Sequence, residues 1–129
     1  MATVSILMVV DVEGALSSGN LGNNIYLIDT NKYVGSGSEG QAELNTRLSP
    51  GDIVQWSVAP VQPDGQVTIA GFSGQAVQQN IIKPQVNPTT GAWASKFNTS
   101  AKSGTQYQYT STLQFEGRQL TFDPFLTVK

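Results

Sequence analysis

Gly51-Asp52-Ile53-Val54-Gln55-Trp56-Ser57-Val58 opens on a Gly-Asp turn signal and then alternates. Successive side chains of a strand point to opposite faces, so Val54 and Trp56 share one face and Ile53 takes the other. A Trp in mid-strand on an apolar face belongs between two packed sheets. The same period-2 signal recurs along the chain. It predicts strands over 5–12, 24–29, 53–61, 66–72, 92–98, 105–116 and 119–128.

Turn chemistry separates these runs. Ser49-Pro50-Gly51-Asp52 opens the third. Gln62-Pro63-Asp64-Gly65 is expected to join the third and fourth as a hairpin. Asn87-Pro88-Thr89-Thr90-Gly91 precedes the fifth, and Glu116-Gly117-Arg118 reverses the chain between the last two. Residues 39–48 read as one helical turn or as a strand around 44–48. Pro124 removes a ladder donor, so the last strand bends, bulges or lies at an edge there, with Asp123 capping the bend. The expectation is one domain over 1–129, an all-β antiparallel Greek-key sandwich of about seven strands, immunoglobulin- or cupredoxin-like in pattern. Copper chemistry of the cupredoxin kind needs His and Cys ligands.

The chain has neither His nor Cys. That removes disulfide staples, thiol nucleophiles, the commonest metal ligand and the commonest general base. Only 12% of its 129 residues are charged, about half the usual share, and the net charge is −2. The seven basic residues are scattered, so no stripe exists for nucleic acid or anionic lipid. A surface of Ser, Thr, Asn, Gln and Gly lacks the usual repulsion between molecules and suits dense self-packing or a neutral ligand. The first basic residue is Lys32, and Asp11 and Glu13 interrupt the first apolar run. No Sec signal peptide or membrane helix is therefore expected, and the location expected is cytoplasmic.

Val9 to Thr30 carries the candidate site. Read as strand, loop and strand, it offers Asp11 and Glu13 on one strand face, Asn20, Asn23 and Asn24 in the loop, and Asp29 closing the return. Such oxygen donors suit Ca²⁺, with Asp11, Glu13 and Asp29 as the metal set, although no EF-hand spacing is present. The plainer reading leaves the acids in solvent and the asparagines in turns. Tyr26 and Tyr33 bracket Asp29, and Trp93 follows a turn. A ring beside Asn and Asp is how proteins hold sugars, so Tyr26 and Trp93 join the acids and asparagines as candidate ligand-binding residues. No catalytic residues stand out. There is no Gly-x-Ser-x-Gly elbow, and Gly35-Ser36-Gly37-Ser38-Glu39-Gly40 lacks the Lys that completes a phosphate loop.

VVDVEGAL (9–16), NIYLIDTNKY (24–33), GDIVQWSVAPV (51–61), VTIAGFSGQAV (67–77) and YQYTSTLQFEGRQLTFDPFLTV (107–128) together resemble the bacterial AidA/PixA inclusion-body proteins. The resemblance implies a small, cytoplasmically made protein of Gram-negative bacteria, of a kind that in some members accumulates in intracellular crystalline inclusions, and the expectation is that it is not an enzyme. The resemblance also implies, as for some members, quorum-sensing control and association with a host, and the partner expected for this chain is itself, in a homo-oligomer. It carries over no catalytic residues. Family members are commonly longer, with the shortfall here between Val77 and Tyr107. The expected function is binding or self-association. The alternative is a lectin-like carbohydrate-binding module, assisted by Ca²⁺.

Overall fold

The computed structural model describes residues 2–31 and 35–129. Its first strand, β1 (Thr3–Val10), buries Val4, Ile6, Met8 and Val10 and turns the intervening residues outward. The chain then forms a helix, α1 (Val12–Ser18), and returns as β2 (Ile25–Asp29). After β3 (Asn45–Leu48) come β4 (Ile53–Pro60) and β5 (Val67–Ser73), a single helical turn α2 (Gln75–Gln78), and the short strands β6 (Gln85–Val86) and β7 (Trp93–Lys96). The last four strands are β8 (Gln106–Gln108), β9 (Thr110–Phe115), β10 (Arg118–Phe122) and β11 (Phe125–Val128).

One layer is a five-stranded sheet in the order β2-β1-β4-β7-β6. The other consists of two three-stranded sheets, β10-β9-β5 and β3-β11-β8. These two are halves of a single hairpin-centred layer. β9 pairs with β10 and β8 pairs with β11, both antiparallel. The expected long strands over 105–116 and 119–128 are each broken once, at facing positions. Pro124 has no N–H to donate, but its carbonyl accepts the Tyr109 N–H at 3.0 Å, and the Thr110 hydroxyl donates to Asp123 Oδ1 at 2.7 Å. Asp123 thus ties the bend across the hairpin.

The all-β sandwich is as expected, but it is not wholly antiparallel, since β1 runs parallel to β4 and β3 parallel to β11. The Gln62–Gly65 turn closes with a 3.0 Å bond, yet it joins no hairpin. β1 and β7 already occupy both edges of β4, so the chain after the turn crosses to the other layer and pairs with β9. Between the layers Trp56, Tyr109, Phe97, Ile6, Met8, Leu27, Leu113 and Leu126 are fully buried. Trp56 holds the place its spacing predicts.

The outer margin of β2 is not left open. Gly40 donates its N–H to the Leu27 carbonyl, and the Asp29 N–H donates to Glu39 Oε1 at 3.0 Å. Among the described residues no helix is long and apolar enough to cross a membrane.

Candidate functional site

The segment after β1 is a helix rather than a continuing strand. Asp11 has extended backbone (φ −77, ψ 92) and caps α1, with Gly19 closing the helix at φ 70. Val12 and Ala15 are buried and Leu16 partly so, the i, i+3, i+4 stripe of a helix with its apolar side on the core. Asp11 and Glu13 therefore do not share a strand face. Asp11 Oδ1 accepts the Gly14 N–H at 3.0 Å and the Gln62 amide at 2.7 Å, while Gln62 Oε1 accepts the Val12 N–H at 2.9 Å. The bond from the Gly14 amide, then that from Gln62, holds the Asp11 carboxyl below the usual carboxylate range. Gln62 is the partner that sequence reasoning missed. Its side chain clamps the start of α1 onto the turn after β4.

The asparagines are engaged with one another. Asn20 Oδ1 accepts the Asn23 N–H at 3.1 Å. The Asn24 amide donates to the Asn20 carbonyl at 2.7 Å and to Ser18 Oγ at 3.3 Å. The Ser18 hydroxyl itself donates to the Gly14 carbonyl at 2.7 Å. A side chain at Gly14 would collide with the Asn24 amide oxygen and come within 2.8 Å of Asp11 Oδ2. The loop is a locked turn, with Arg118 Nη1 donating to the Leu16 carbonyl at 3.3 Å from the other layer.

Asp29 lies elsewhere. It faces Ile6 in the β1–β2 register, whereas Val10, next to Asp11, faces Ile25. Four residues of strand separate these positions, roughly 13 Å. The Asp29 carboxylate is buried, accepting the Thr46 hydroxyl at 2.7 Å and the Asn31 N–H at 2.9 Å. It fastens β2 to β3 in the other layer. Asp11, Glu13 and Asp29 do not converge, and among the described residues no group of three or more acids could hold a metal ion. Glu13 instead lines a cleft of about 200 Å³ with Gln62, Asp64 and Glu116.

The candidate rings also part company. Tyr26, 48% exposed, projects from β2 and lines a depression of about 420 Å³ with Asn23, Gln41 and Glu43. Trp93 is on β7, separated from β2 by β1 and β4 in the sheet order. It is partly buried against the core, edge-on to Phe72 at 5.5 Å, and its indole N–H is buried without a partner. Tyr33 lies outside the described residues. Of the candidate ligand set, then, only Tyr26 and Asn23 line one open depression.

Among solved structures, the chain is similar to an inclusion body protein, PixA, from Burkholderia cenocepacia. The match has a TM-score of 0.68 and covers 98% of this chain and 93% of that one, at 14% sequence identity. The two folds correspond nearly end to end, so the expected shortfall against longer relatives does not arise with this one. No curated protein matches the sequence. The profile described as "Domain of unknown function (DUF8788)" matches residues 2–121, and the chain belongs to that family.

Proposed function

We propose that this chain is a non-catalytic, inclusion-body-type protein that acts by self-association of folded copies. The observation that carries this reading is the fold held in common with the PixA inclusion body protein over 98% of the chain. Two features support it. The most oxygen-rich loop is closed on itself through Asn20, Asn24, Ser18 and Gly14 rather than turned toward a ligand. The surface carries few charges to keep copies apart. Sedimentation equilibrium from micromolar to millimolar chain tests it. Reversible, concentration-dependent association is expected, and a monomer at every concentration overturns the reading.

A second reading, a carbohydrate-binding module, is favoured by one observation: Tyr26 stands beside Asn23, Gln41 and Glu43 around an open depression. A glycan array with and without calcium tests it. Saturable binding that Tyr26→Ala abolishes supports it, and flat binding under both conditions removes it.

A further inference from the structure

Among the described residues, no strand or helix packs on the outer face of the five-stranded sheet, and the alternate residues of β1, β2 and β4 on that side are exposed or half-buried. β1 and β2 align Leu7 with Ile28 and Val9 with Tyr26, and β1 and β4 align Val9 with Ala59. Residues directly opposite on paired strands share a face. Val61 continues the outward alternation of Ala59, just past the end of β4. These six side chains form one contiguous apolar patch. Among the described residues, three of the four large exposed hydrophobic side chains belong to it: Tyr26 at 48%, Ile28 at 46% and Val61 at 54%. Hydrophobic residues scattered singly over a surface need no explanation, but a grouped set marks an interaction site.

We infer that this face is the contact through which two copies of the chain associate, sheet against sheet. The inference rests on the self-association reading and names its surface. Two properties select a second copy as the occupant. The first is charge. The only charged side chain that the strands of the sheet turn to this face, among the described residues, is Lys96, opposite Ile53 at the far corner from Tyr26. A face with a single charge at its far corner gives an anionic membrane or a charged partner little to grip, and it meets its own copy with little like-charge repulsion. The second is size. β1 has eight residues. At about 3.3 Å per residue and about 4.8 Å between strands, β1 and β4 with eight residues each, β2 with five and β7 with four make a face of roughly 400 Å². With side-chain relief this approaches the ~600 Å² per partner at the lower limit of standard interfaces, the size of a reversible contact rather than a permanent one. An isologous contact of this kind sets the patch on itself across a two-fold axis.

The test varies Ile28 and leaves Tyr26, the residue of the carbohydrate reading, in place. Ile28→Lys and Ile28→Glu are each expected to raise the dissociation constant by about 100-fold or more, because either puts like charges into an apolar contact. Mixing the two variants is expected to restore association, which a misfolded variant could not do. Val86→Lys is the control: Val86 is as exposed (46%) but is aligned with Trp93, on the other face of the sheet. Association that persists in both Ile28 variants overturns the inference while leaving the self-association reading intact. A wild-type chain that is monomeric throughout overturns both.

Discussion

The Trp56 indole N–H donates to the Tyr109 hydroxyl at 3.1 Å, between two side chains with no exposed surface. Trp56 belongs to the five-stranded sheet. Tyr109 sits at the break between β8 and β9 in the other layer. The bond therefore pins the point where the long hairpin changes direction. Tyr109→Phe keeps the ring but leaves the indole N–H without a partner. It should cost about 1–3 kcal/mol in urea unfolding, and an unchanged midpoint would show that the break is held by other means.

The same pair predicts behaviour at high pH. Burial, reinforced by the Asp29 carboxylate, drives the Tyr109 phenol well above its ordinary pKa of 10.0, despite the opposing bond from Trp56. The folded state therefore resists ionisation that the unfolded chain undergoes near pH 10. The stabilisation is complete below that value and is lost as pH rises beyond it. Thermal melts from pH 8 to 11.5 should show a steeper decline for the wild type than for Tyr109→Phe. Parallel curves would refute the assignment.

Asp11 predicts the opposite limb. Its acidity is raised by bonds from Gly14 and Gln62. Its contribution is present above the ordinary carboxylate value of 3.8 and is lost as pH falls through the lower folded value. Asp11→Asn should flatten the acid side of the stability curve relative to the wild type. Gln62→Leu, which removes one of the two bonds, should flatten it in part. Identical acid limbs in all three proteins would count against the clamp.

Gly14 tests the locked loop. Replacing a helical glycine with alanine ordinarily stabilises a protein by about 0.5–1 kcal/mol. At Gly14 the new methyl displaces the Asn24 amide and the Asp11 carboxylate. We expect Gly14→Ala to destabilise by about 1–3 kcal/mol. Gly37→Ala, where nothing lies within 4 Å of the added carbon, should shift stability by less than about 0.5 kcal/mol. A stabilised Gly14→Ala would mean that the loop yields freely.

Calcium supplies the fifth comparison. Asp11 and Asp29 stand at opposite ends of the β1–β2 pair, and Asp29 is occupied by Thr46 and Asn31. Millimolar calcium or EDTA should leave the melting temperature unchanged. Asp29→Ala should cost about 1–3 kcal/mol by stranding the Thr46 hydroxyl. A calcium-dependent rise in melting temperature that Asp29→Ala removes would overturn this account.

The sandwich was legible because Trp56 and its neighbours obey a period that only a strand satisfies. The break at Pro124 was legible for an equally local reason, the missing N–H. The partners of strands were not, because a turn such as Gln62–Gly65 fixes a reversal but not which edges are vacant. The helix after β1 was hidden by overlap. Val10 and Val12 extend the strand alternation, while Val12, Ala15 and Leu16 after Asp11, with Gly19 beyond, spell a short capped helix. That overlap also misdirected the site, by placing Asp11 and Glu13 on a common face. Trp93 was grouped with the loop on residue type alone, which carries no information about how many strands lie between.

The covered margin of β2 has a consequence for any dense store of this protein. With Gly40 and Glu39 seated along it, that margin cannot recruit a strand from a neighbour. Under the proposed self-association, copies that meet along β2 therefore do so as folded molecules, with no backbone bond passing between chains at that margin, unlike a cross-β deposit.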